Sequence, residues 1–526
     1  MSAPTTDRPW PDTSELGFWN IARREPDRAA LLLEDGSSVS FGELCAEANR
    51  IARVFRAAGL TRGDCVATVL PNDLSAYAAE LAALQSGLYY CPLNHHLTGP
   101  EIAYIVANSE AKLLIAHERF ADPASRAAQE CGLSSARCLA VGTVEGFDSL
   151  QDASAAQPES SIADRSPGQR MAYTSGTTGR PKGVRRPLPE GNPDDVAAER
   201  SVFARAFGLV PKDGVHLVVG PLYHAGPSVF SYGSLHVGHA QVLTNRFDPE
   251  RTLALIEEHR VTNSHLVPTM FHRLLALPEE TRRRYDVLSL RMVAHSAAPM
   301  PAEVKRRMMD WWGPVLWETY GGSEGAATIA KPHHWLEKPG TVGRPVRGAR
   351  VTILDEDGKQ CPPGTPGDVY VEIEGARFTY WKDDDKTRAA YRGRSFTLGD
   401  VGYLDEDGFL FLTGRQSEVI ISGGVNIYPA EVENALLAHP GVADLAVIGA
   451  PDEEWGERVV AFVQPRDFES GEAFAAELID FCRERIAHYK CPREVELRGA
   501  LPRAENGKLY RERLRDELWQ GASRSL

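Results

Sequence analysis

The residues best suited to chemistry lie in one short stretch, residues 173–183, which read Tyr-Thr-Ser-Gly-Thr-Thr-Gly-Arg-Pro-Lys-Gly. Glycines let the backbone turn its N–H groups toward an anion, and hydroxyl side chains add further donors. Lys182 supplies a positive charge, but it follows Pro181, so the stretch is not a G-x-x-x-x-G-K-[ST] P-loop. A plain surface loop is the simpler alternative. The order of the residues favours a loop that binds phosphate groups.

Seven further segments carry polar side chains in settings that suit a binding site: residues 221–224, 295–299, 320–324, 397–400, 413–415, 421–431 and 501–511. Each also has an ordinary structural explanation. His224 after an apolar run is typical of a satisfied structural histidine, and Asp400 is typical of a turn before a hairpin. A lone lysine near a C-terminus, such as Lys508, is normally a solvated charge. The segments gain meaning from their order along the chain.

Residues 321–325 read Gly-Gly-Ser-Glu-Gly, which also fits the G-x-S-x-G nucleophile elbow of α/β-hydrolases. Such an enzyme would use Ser323 as its nucleophile and would need an acidic residue and a histidine later in the chain. Histidines do follow, at positions 333, 334, 439 and 488, but none has a supporting context. A serine hydrolase therefore stays a minor alternative.

Composition and charge exclude several functional classes. The 526 residues include 72 acidic and 58 basic side chains, which gives a net charge of −14. Such a surface does not attract nucleic acid or anionic lipid over a distance. No apolar run reaches the roughly 18 residues needed to cross a bilayer, and residues 1–12 lack the features of a secretion signal. We expect a cytoplasmic protein without integral membrane segments, and its eight scattered cysteines form no C-x-x-C pair.

Alternating apolar patterns predict an α/β fold. Helical spacing over residues 40–58 is followed by strand-like runs at 65–70 and 112–116, which is typical of βαβ units and a parallel sheet. Residues 148–168, rich in Ser, Ala, Asp and Pro, indicate a surface linker. The alternation returns over residues 214–298. Short strands and turns follow residue 340, including hairpin turns at Asp355–Gly358 and Asp405–Gly408, and a compact α/β unit begins near Val419.

Taken together, these segments closely resemble the motifs of the adenylate-forming superfamily, which includes acyl-CoA synthetases, aryl-CoA ligases, peptide-synthetase adenylation domains and beetle luciferase. The resemblance runs from about Ser38 to Arg513. It implies a large N-terminal AMP-binding domain over residues 1–414, made of α/β subdomains and a β-rich part. A hinge over residues 415–418, centred on Ser417, then leads to a small mobile α/β domain over residues 419–526.

The resemblance also implies which residues bind ATP. Tyr320 would stack on adenine, Asp400 would accept the ribose hydroxyls, and Arg415 would contact ribose and phosphate. Ser296 stands where relatives often have glycine and would narrow the space between adenine and the acyl group. The full implied set is Thr174, Ser175, Gly176, Thr177, Thr178, Gly179, Lys182, Ser296, Ala297, Ala298, Tyr320, Gly321, Asp400, Arg415 and Lys508.

Other roles follow from the same resemblance. Glu324 and Thr174 are the candidate Mg²⁺ ligands, and Lys508, Lys182, Ser323 and Glu324 are the candidate catalytic residues. Ser323 replaces the usual threonine and keeps its hydroxyl donor. The implied acyl pocket comprises His224, Val229, Phe230, His295 and Gly322, and the implied thiol tunnel comprises Ser422, Gly423 and Gly424.

The resulting prediction is an ATP-dependent acid–CoA ligase. It would convert a fatty or aromatic carboxylic acid into an acyl-adenylate with release of pyrophosphate, and then pass the acyl group to the thiol of CoA. The implied small-molecule partners are therefore ATP, Mg²⁺, the acid and CoA. A biosynthetic adenylating enzyme with another acceptor is the alternative: a carrier-protein thiol, an amine or a small nucleophile such as nitrite. Because Lys182, Glu324 and Lys508 are all present, a catalytically idle scaffold is disfavoured.

Overall fold

A computed structural model of the chain describes residues 10–174, 181–298, 300–415, 418–422, 425–452, 454–466, 471–503 and 509–519. The chain divides into two compact units. The first takes the chain up to Leu266 together with Leu277–Ala294 and Gly375–Ala389; the second takes Val267–Ala276, His295–Glu374 and the chain from Ala390 onward. The predicted α/β class is confirmed. The predicted domain limits at residues 414 and 419 stay a prediction.

Residues 10–174 alternate between helices and strands, as the sequence pattern predicts. The elements are α1 (Phe18–Arg24), β1 (Ala29–Leu32), β2 (Ser38–Ser40), α2 (Phe41–Ala57), β3 (Cys65–Val69), α3 (Leu74–Gln85), β4 (Tyr89–Pro92), α4 (Gly99–Ser109), β5 (Ala111–His117), α5 (Ala121–Glu130), β6 (Cys138–Val141), β7 (Asp148–Ser149), α6 (Leu150–Ala155), β8 (Gln169–Arg170) and β9 (Ala172–Thr174).

The alternation continues through the middle of the chain and then gives way to antiparallel strands. The elements are β10 (Lys182–Arg185), α7 (Pro193–Ala206), β11 (Val215–Val218), α8 (Ala225–His236), β12 (Ala240–Leu243), α9 (Pro249–Glu258), β13 (Asn263–Leu266), α10 (Pro268–Leu275), α11 (Glu279–Arg284), β14 (Met292–His295), α12 (Ala302–Trp312), β15 (Leu316–Gly322), β16 (Gly325–Ala330), α13 (Pro332–Glu337) and β17 (Arg344–Pro345).

The last third is β-rich and ends in a small α/β domain. Its elements are β18 (Ala349–Leu354), β19 (Gly367–Ile373), β20 (Thr379–Tyr380), α14 (Asp384–Ala390), β21 (Tyr391–Arg392), β22 (Ser395–Leu404), β23 (Leu410–Arg415), β24 (Ile420–Ser422), β25 (Val425–Ile427), α15 (Pro429–Leu437), β26 (Val442–Asp452), β27 (Gly456–Pro465), α16 (Gly471–Arg483), β28 (Glu494–Leu497) and α17 (Arg511–Leu518).

The first unit is built on parallel sheets, as predicted. One sheet has the strand order β7-β6-β5-β3-β4-β8, and every pairing in it is parallel. A second sheet includes the first unit's strands in the order β14-β13-β11-β12-β1-β2. A parallel sheet is typically covered on both faces, and strand β3 is accordingly buried at all five positions. Helix α2 begins at a capping box made by Ser40 and Glu43.

One sequence-based interpretation is wrong in part. Residues 148–168 were expected to form an irregular linker, but they begin with strand β7 and helix α6. Ser149 caps that helix, since its side chain accepts a hydrogen bond from the backbone N–H of Asp152. Leu150 is buried. A cap and one apolar anchor are enough to order a six-residue helix within a segment of otherwise loop-like composition.

The second unit carries antiparallel sheets. Strands β15 and β16 form a hairpin, and β18, β19, β22, β23 and β21 form a five-stranded sheet. In the small domain, the order β25-β24-β27-β26 is extended by β28, which pairs in parallel with β27. Helix α16 of this domain covers Gly471–Arg483. Among the described residues, no helix is both long enough and apolar enough to cross a bilayer.

Candidate active site

Strands β9 and β10 fix the two ends of the predicted phosphate-binding loop. They pair antiparallel, with Thr174 opposite Lys182 and Tyr173 opposite Gly183. A side chain at position 183 would meet the Met171 and Tyr173 side chains at 2.6 and 2.9 Å, so glycine is required there. The hairpin therefore brings Thr174 and Lys182 side by side. Ser175, Gly176, Thr177, Thr178 and Gly179 lie outside the described residues.

Lys182 has a carboxylate partner that sequence reasoning missed. Its ammonium group lies 3.5 Å from Asp383 Oδ2, and its side chain is 16% exposed. Strand β20 pairs with β10, and the backbone N–H of Trp381 donates to the carbonyl of Gly183, which holds this carboxylate in place. The other carboxylate oxygen accepts a hydrogen bond from the backbone N–H of Lys386.

Aromatic rings fix the strand that carries Lys182. The guanidinium of Arg185 lies 3.7 Å from the ring centre of Trp381 and 4.0 Å from that of Tyr89. Guanidinium groups are attracted to ring faces at such distances. The Trp381 indole N–H donates to the carbonyl of Asn108. This stacking gives β10 a fixed position relative to the first parallel sheet.

The predicted acyl-pocket residues of the first unit surround helix α8. His224 is the residue at the N-terminal cap of this helix. Phe230 is buried against Phe203 and Phe207, and it stacks on His265 at 5.0 Å. Burial lowers the pKa of His265 to about 3, so its imidazole is neutral at physiological pH. Phe203, Phe207, Phe230 and His265 thus form one packed aromatic cluster beside helix α8, and the predicted acyl-pocket roles of His224 and Phe230 stay predictions.

Val229 differs from its neighbours, because its side chain is 46% exposed. The sequence pattern predicted an acyl-pocket residue here on the basis of apolar character alone. Successive residues of a helix point about 100° apart, so Val229 and Phe230 cannot share one environment. The role of Val229 stays a prediction.

The segment after strand β14 carries a strained backbone. Ala297 has φ +73°, a left-handed conformation that alanine adopts only when its surroundings impose it. His295, at the end of the strand, is fully buried, and Ala297 and Ala298 are exposed. Such strain is concentrated at binding sites. The predicted ATP-binding roles of Ser296, Ala297 and Ala298 stay predictions.

Tyr320, Asp400 and Arg415 are brought into direct contact, although they are far apart in the sequence. The phenol of Tyr320 donates to Asp400 Oδ2 at 2.8 Å, and Nε of Arg415 donates to Asp400 Oδ1 at 3.1 Å. Asp400 and Tyr320 are each only 7% exposed. Burial raises the pKa of the Asp400 carboxyl, although Arg415 and Tyr320 partly counteract that effect. We call this group the Tyr–Asp–Arg cluster.

Gly321, Gly322, Ser323 and Glu324 occupy the end of the β15–β16 hairpin. A β-bulge lies between Tyr320 and Gly321, and a side chain at 321 would lie 2.3 Å from the carbonyl oxygen of Gly325. A side chain at 322 would meet Oε2 of Glu324 at 2.6 Å. The glycines therefore allow the buried Glu324 carboxylate to lie against the hairpin backbone.

The same hairpin argues against the hydrolase alternative. A nucleophile elbow is a sharp turn from a strand into a helix, which exposes the serine above a sheet. Ser323 instead lies in a tight turn between two antiparallel strands, with Gly322 paired to Gly325. The minor hydrolase alternative therefore lacks the elbow that it requires, because the glycines that mimic its signature lie in a β-hairpin.

The described residues are compatible with the predicted Mg²⁺. Among them, no three His, Cys, Asp or Glu side chains are grouped as a ready-made metal site. Mg²⁺ does not need one, since it commonly uses one or two protein carboxylates together with substrate phosphates. The buried carboxylate of Glu324, in the second unit, is a donor of the required oxygen type, and so is the hydroxyl of Thr174, in the first unit. Their joint role as Mg²⁺ ligands stays a prediction.

The predicted mobile elements are described only in part. Ser422 lies in strand β24 and pairs with Val425 across the predicted hairpin and with Gly456 of β27. Gly423, Gly424, the hinge residue Ser417 and the candidate catalytic residue Lys508 lie outside the described residues. Their roles stay predictions.

Sequence reasoning also missed a buried ion pair in the second unit. Lys305 of α12 is fully buried, and its ammonium donates to Glu318 Oε2 of β15 at 2.6 Å. Nε2 of His295 lies 3.6 Å from the same oxygen. Glu318 is two residues before Tyr320 in strand β15, so this pair supports the strand that carries one of the three residues of the Tyr–Asp–Arg cluster.

Comparisons with known proteins agree with this geometry. The family model described as AMP-binding enzyme matches residues 18–381, and the model described as AMP-binding enzyme C-terminal domain matches residues 431–508. A feruloyl-CoA synthase from an Amycolatopsis species is 34% identical over 504 residues, 95% of this chain and 98% of that protein. A fatty acid–[acyl-carrier-protein] ligase from Streptomyces coeruleorubidus is 30% identical over 530 residues, 96% of each chain.

A solved structure has the same fold. It is the o-succinylbenzoate CoA synthetase from Bacillus subtilis in complex with its acyl-adenylate intermediate, with a TM-score of 0.79, 29% identity and coverage of 95% of this chain and 97% of that one. Family models spanning most of the chain and relatives matched over nearly their whole length agree with the motif order. The chain belongs to the adenylate-forming superfamily of AMP-binding enzymes and is an ATP-dependent acid–thiol ligase.

Proposed function

We propose that this ligase joins an aromatic carboxylic acid to CoA in the presence of ATP and Mg²⁺. The observation that carries the nucleotide part is the Tyr–Asp–Arg cluster, in which a buried carboxylate is set between a phenol and a guanidinium. The aromatic cluster around Phe230 supports the choice of acid. Two of the compared proteins are also named for aromatic acids, feruloyl-CoA synthase and o-succinylbenzoate CoA synthetase.

The described residues have distinct roles toward ATP. Asp400 accepts hydrogen bonds from the ribose hydroxyls, while the charge of Arg415 lowers the pKa of that carboxyl and so opposes the effect of its burial. Tyr320 packs against adenine. Thr174 and Lys182, with the loop between them, bind the phosphates. Glu324 holds Mg²⁺, which neutralises phosphate charge when it is bound.

The first half-reaction is mainly a matter of position and charge. An oxygen of the substrate carboxylate attacks the α-phosphorus of ATP, the bond to the β-phosphate oxygen breaks, and pyrophosphate leaves. No general base is needed, since the carboxylate is already ionised at neutral pH. Lys508 provides positive charge between the carboxylate and the α-phosphate, where negative charge accumulates in the transition state.

In the second half-reaction the thiol sulfur of CoA attacks the acyl carbon and AMP leaves. The thiol proton is lost as the thioester forms. Ser422, Gly423 and Gly424 line the path of the thiol, and rotation at Ser417 exchanges this turn for Lys508. A slender thiol arm can pass close to backbone only where side chains are small, and the glycines meet that need.

A carrier-protein thiol is the second candidate acceptor. The relative named as a fatty acid–[acyl-carrier-protein] ligase favours it, because that protein matches this chain over 96% of its length. Both acceptors present the same terminal thiol, so the adenylation chemistry is identical. The two proposals differ only in the surface that receives the acceptor.

Pyrophosphate release across a panel of acids tests the proposal. Purified protein is incubated with ATP, Mg²⁺ and each of several hydroxycinnamic, benzoic, indole and fatty acids, with and without CoA. We expect CoA-dependent turnover with one or more aromatic acids and formation of the aryl-CoA thioester. Turnover with fatty acids alone would overturn the substrate class. Release that does not change with CoA, but rises with an acylatable carrier protein, would favour the second acceptor.

Asp400→Asn is expected to raise the KM for ATP by about 10–100-fold, because hydrogen bonds to a charged acceptor contribute about 1.5–3 kcal/mol. The amide keeps the shape of the carboxylate but donates where the ribose hydroxyl must donate. Steady-state kinetics with ATP as the varied substrate measure the effect. Asp405→Asn is the matched control, since Asp405 lies in the same hairpin and pairs with Lys338. Equal KM values in the two variants would contradict the assignment.

Ser323→Ala is expected to lower adenylation by less than about tenfold, because one hydroxyl hydrogen bond contributes about 0.5–1.5 kcal/mol. A nucleophilic serine would behave differently, since its loss would remove nearly all activity. The measurement is acid-dependent pyrophosphate release, with ATP-independent hydrolysis of an aryl ester assayed in parallel. Ester cleavage by the unmodified protein that disappears in the variant would restore the hydrolase alternative.

A further inference from the structure

The described residues on either side of the segment 504–508 make well-defined contacts. Arg503 and Leu509 form an isolated β-bridge, and the backbone N–H of Tyr510 donates to the carbonyl of Pro502 at 2.8 Å. Nε and Nη2 of Arg503 each donate to the carboxylate of Asp444 at 2.6 Å. This bidentate contact holds Arg503, which precedes the segment, against strand β26. Lys508 directly precedes Leu509 in the chain.

Arg511 lies just after the segment and has three partners. Its Nη2 donates to Glu433 Oε1 of α15 at 2.6 Å, and its Nη1 donates to the carbonyl of Val447 in β26 at 2.9 Å. Its Nε lies 3.3 Å from Glu418 Oε2. The Arg511 side chain is only 22% exposed and that of Glu433 only 12%. A guanidinium that is shielded from solvent and makes several hydrogen bonds is a strong tether between the chain segments that it contacts.

Glu418, the third partner of Arg511, lies next to the predicted pivot. It is the residue directly after Ser417, the predicted pivot, and it precedes strand β24. Arg511 lies three residues after Lys508. One guanidinium therefore connects the segment that leaves the hinge to the segment that carries the lysine.

We infer that Arg511 is a positioning residue for Lys508 in the adenylation half-reaction, acting through its contacts with Glu433 and Glu418. This inference rests on the proposed role of Lys508. Displacement of a catalytic group by about 1 Å can cost 100-fold in rate. The rate of adenylation should therefore depend on Arg511, although this side chain need not contact either substrate.

The transfer half-reaction should depend on Arg511 far less. The turn proposed to line the thiol path is held by other contacts: Ser422 pairs with Gly456, and the backbone N–H of Ile421 donates to Glu457. Neither contact involves Arg511. Loss of the tether should therefore separate the two half-reactions, whereas general destabilisation of the small domain would lower both together.

The experiment compares the two half-reactions in Arg511→Ala and Arg511→Lys in the full-length protein. Adenylation is measured as ATP–pyrophosphate exchange with an accepted acid. Transfer is measured as thioester formation from supplied acyl-adenylate and CoA. We expect Arg511→Ala to slow adenylation by about 10–100-fold and to change transfer by less than about threefold. Arg511→Lys should recover only part of the loss, because an ammonium cannot bond three partners in the guanidinium geometry.

Two controls make the result decisive. Arg498→Ala removes another ion-paired arginine, which contacts helix α17 through Glu517 at 2.7 Å, and should leave the ratio of the two rates unchanged. Lys508→Ala tests the proposed function itself. If Lys508→Ala adenylates normally, the role of the lysine fails. If Lys508→Ala loses adenylation while Arg511→Ala and Arg511→Lys lower both half-reactions in proportion, or neither, the inference about Arg511 is wrong.

Discussion

Replacing Lys508 by alanine is expected to reduce acyl-adenylate formation by about 1,000-fold or more, while transfer from supplied acyl-adenylate to CoA continues. One preorganised donor at a developing charge is worth about 100–1,000-fold in rate. In the proposed mechanism Lys508 serves two negatively charged groups at once, the carboxylate and the α-phosphate. The transfer step uses neither contact, because the acyl–phosphate bond has already formed.

The two half-reactions are measured separately, by ATP–pyrophosphate exchange and by thioester formation from synthetic acyl-adenylate. Lys359→Ala provides the matched control. Lys359 is exposed in a hairpin turn, pairs with Asp357 at 3.5 Å and should affect neither rate. Normal exchange in Lys508→Ala would remove this residue from the mechanism. Loss of both half-reactions would instead indicate that Lys508 stabilises the fold of the small domain.

The sequence predicts individual residues of the Tyr–Asp–Arg cluster but not their contact. The Asp405–Gly408 turn predicts a hairpin, and its inner pairs, Tyr403 with Phe411 and Leu404 with Leu410, follow regularly from that turn. Continued without interruption, this register would place Gly414 opposite Asp400. A bulge shifts the outer pairs by one residue, so that Arg415 lies opposite Asp400 instead. Composition alone does not locate such a bulge.

Charged partners at a distance in sequence were missed for a general reason. Lysine and aspartate are nearly always at the surface, so Lys305 in an amphipathic helix and Asp383 before a short helix have no distinguishing pattern. Only tertiary structure pairs them with Glu318 and Lys182. Glycines and hydroxyls in a fixed order are far more informative. The sequence could therefore single out the loop between Thr174 and Lys182 as a candidate phosphate-binding loop, but not the groups that support it.

Lys305→Met is expected to lower the free energy of unfolding of the second unit by about 3–5 kcal/mol, the typical cost of leaving one buried charge without its partner. Lys305 is fully buried, and its ammonium lies 2.6 Å from Glu318 Oε2 and 5.1 Å from the ring centre of Trp335. Methionine fills a similar volume, so the loss reflects charge rather than a cavity. Thermal and urea denaturation measure it.

The loss should depend on pH in a defined direction. Burial already raises the pKa of Glu318 above its usual value, and Lys305 opposes that rise. Without the lysine the pKa of Glu318 rises further in the folded protein. A carboxyl whose folded pKa exceeds its unfolded pKa favours folding at low pH and loses that contribution as pH rises through the folded value. The variant should therefore be closest to the unmodified protein near pH 5 and furthest from it near pH 8.

Removing both charges should restore most of the lost free energy of unfolding. Well-packed apolar residues often replace a buried ion pair without loss of stability, so Lys305→Met combined with Glu318→Leu should be markedly more stable than Lys305→Met alone. Arg306→Met is the matched control, because Arg306 is the exposed neighbour in the same helix and should change stability by less than about 0.5 kcal/mol. A double variant no more stable than the single one would contradict this explanation. The loss of stability would then come from the missing contact between Lys305 and Glu318, which supports strand β15, and not from the cost of an unpaired charge.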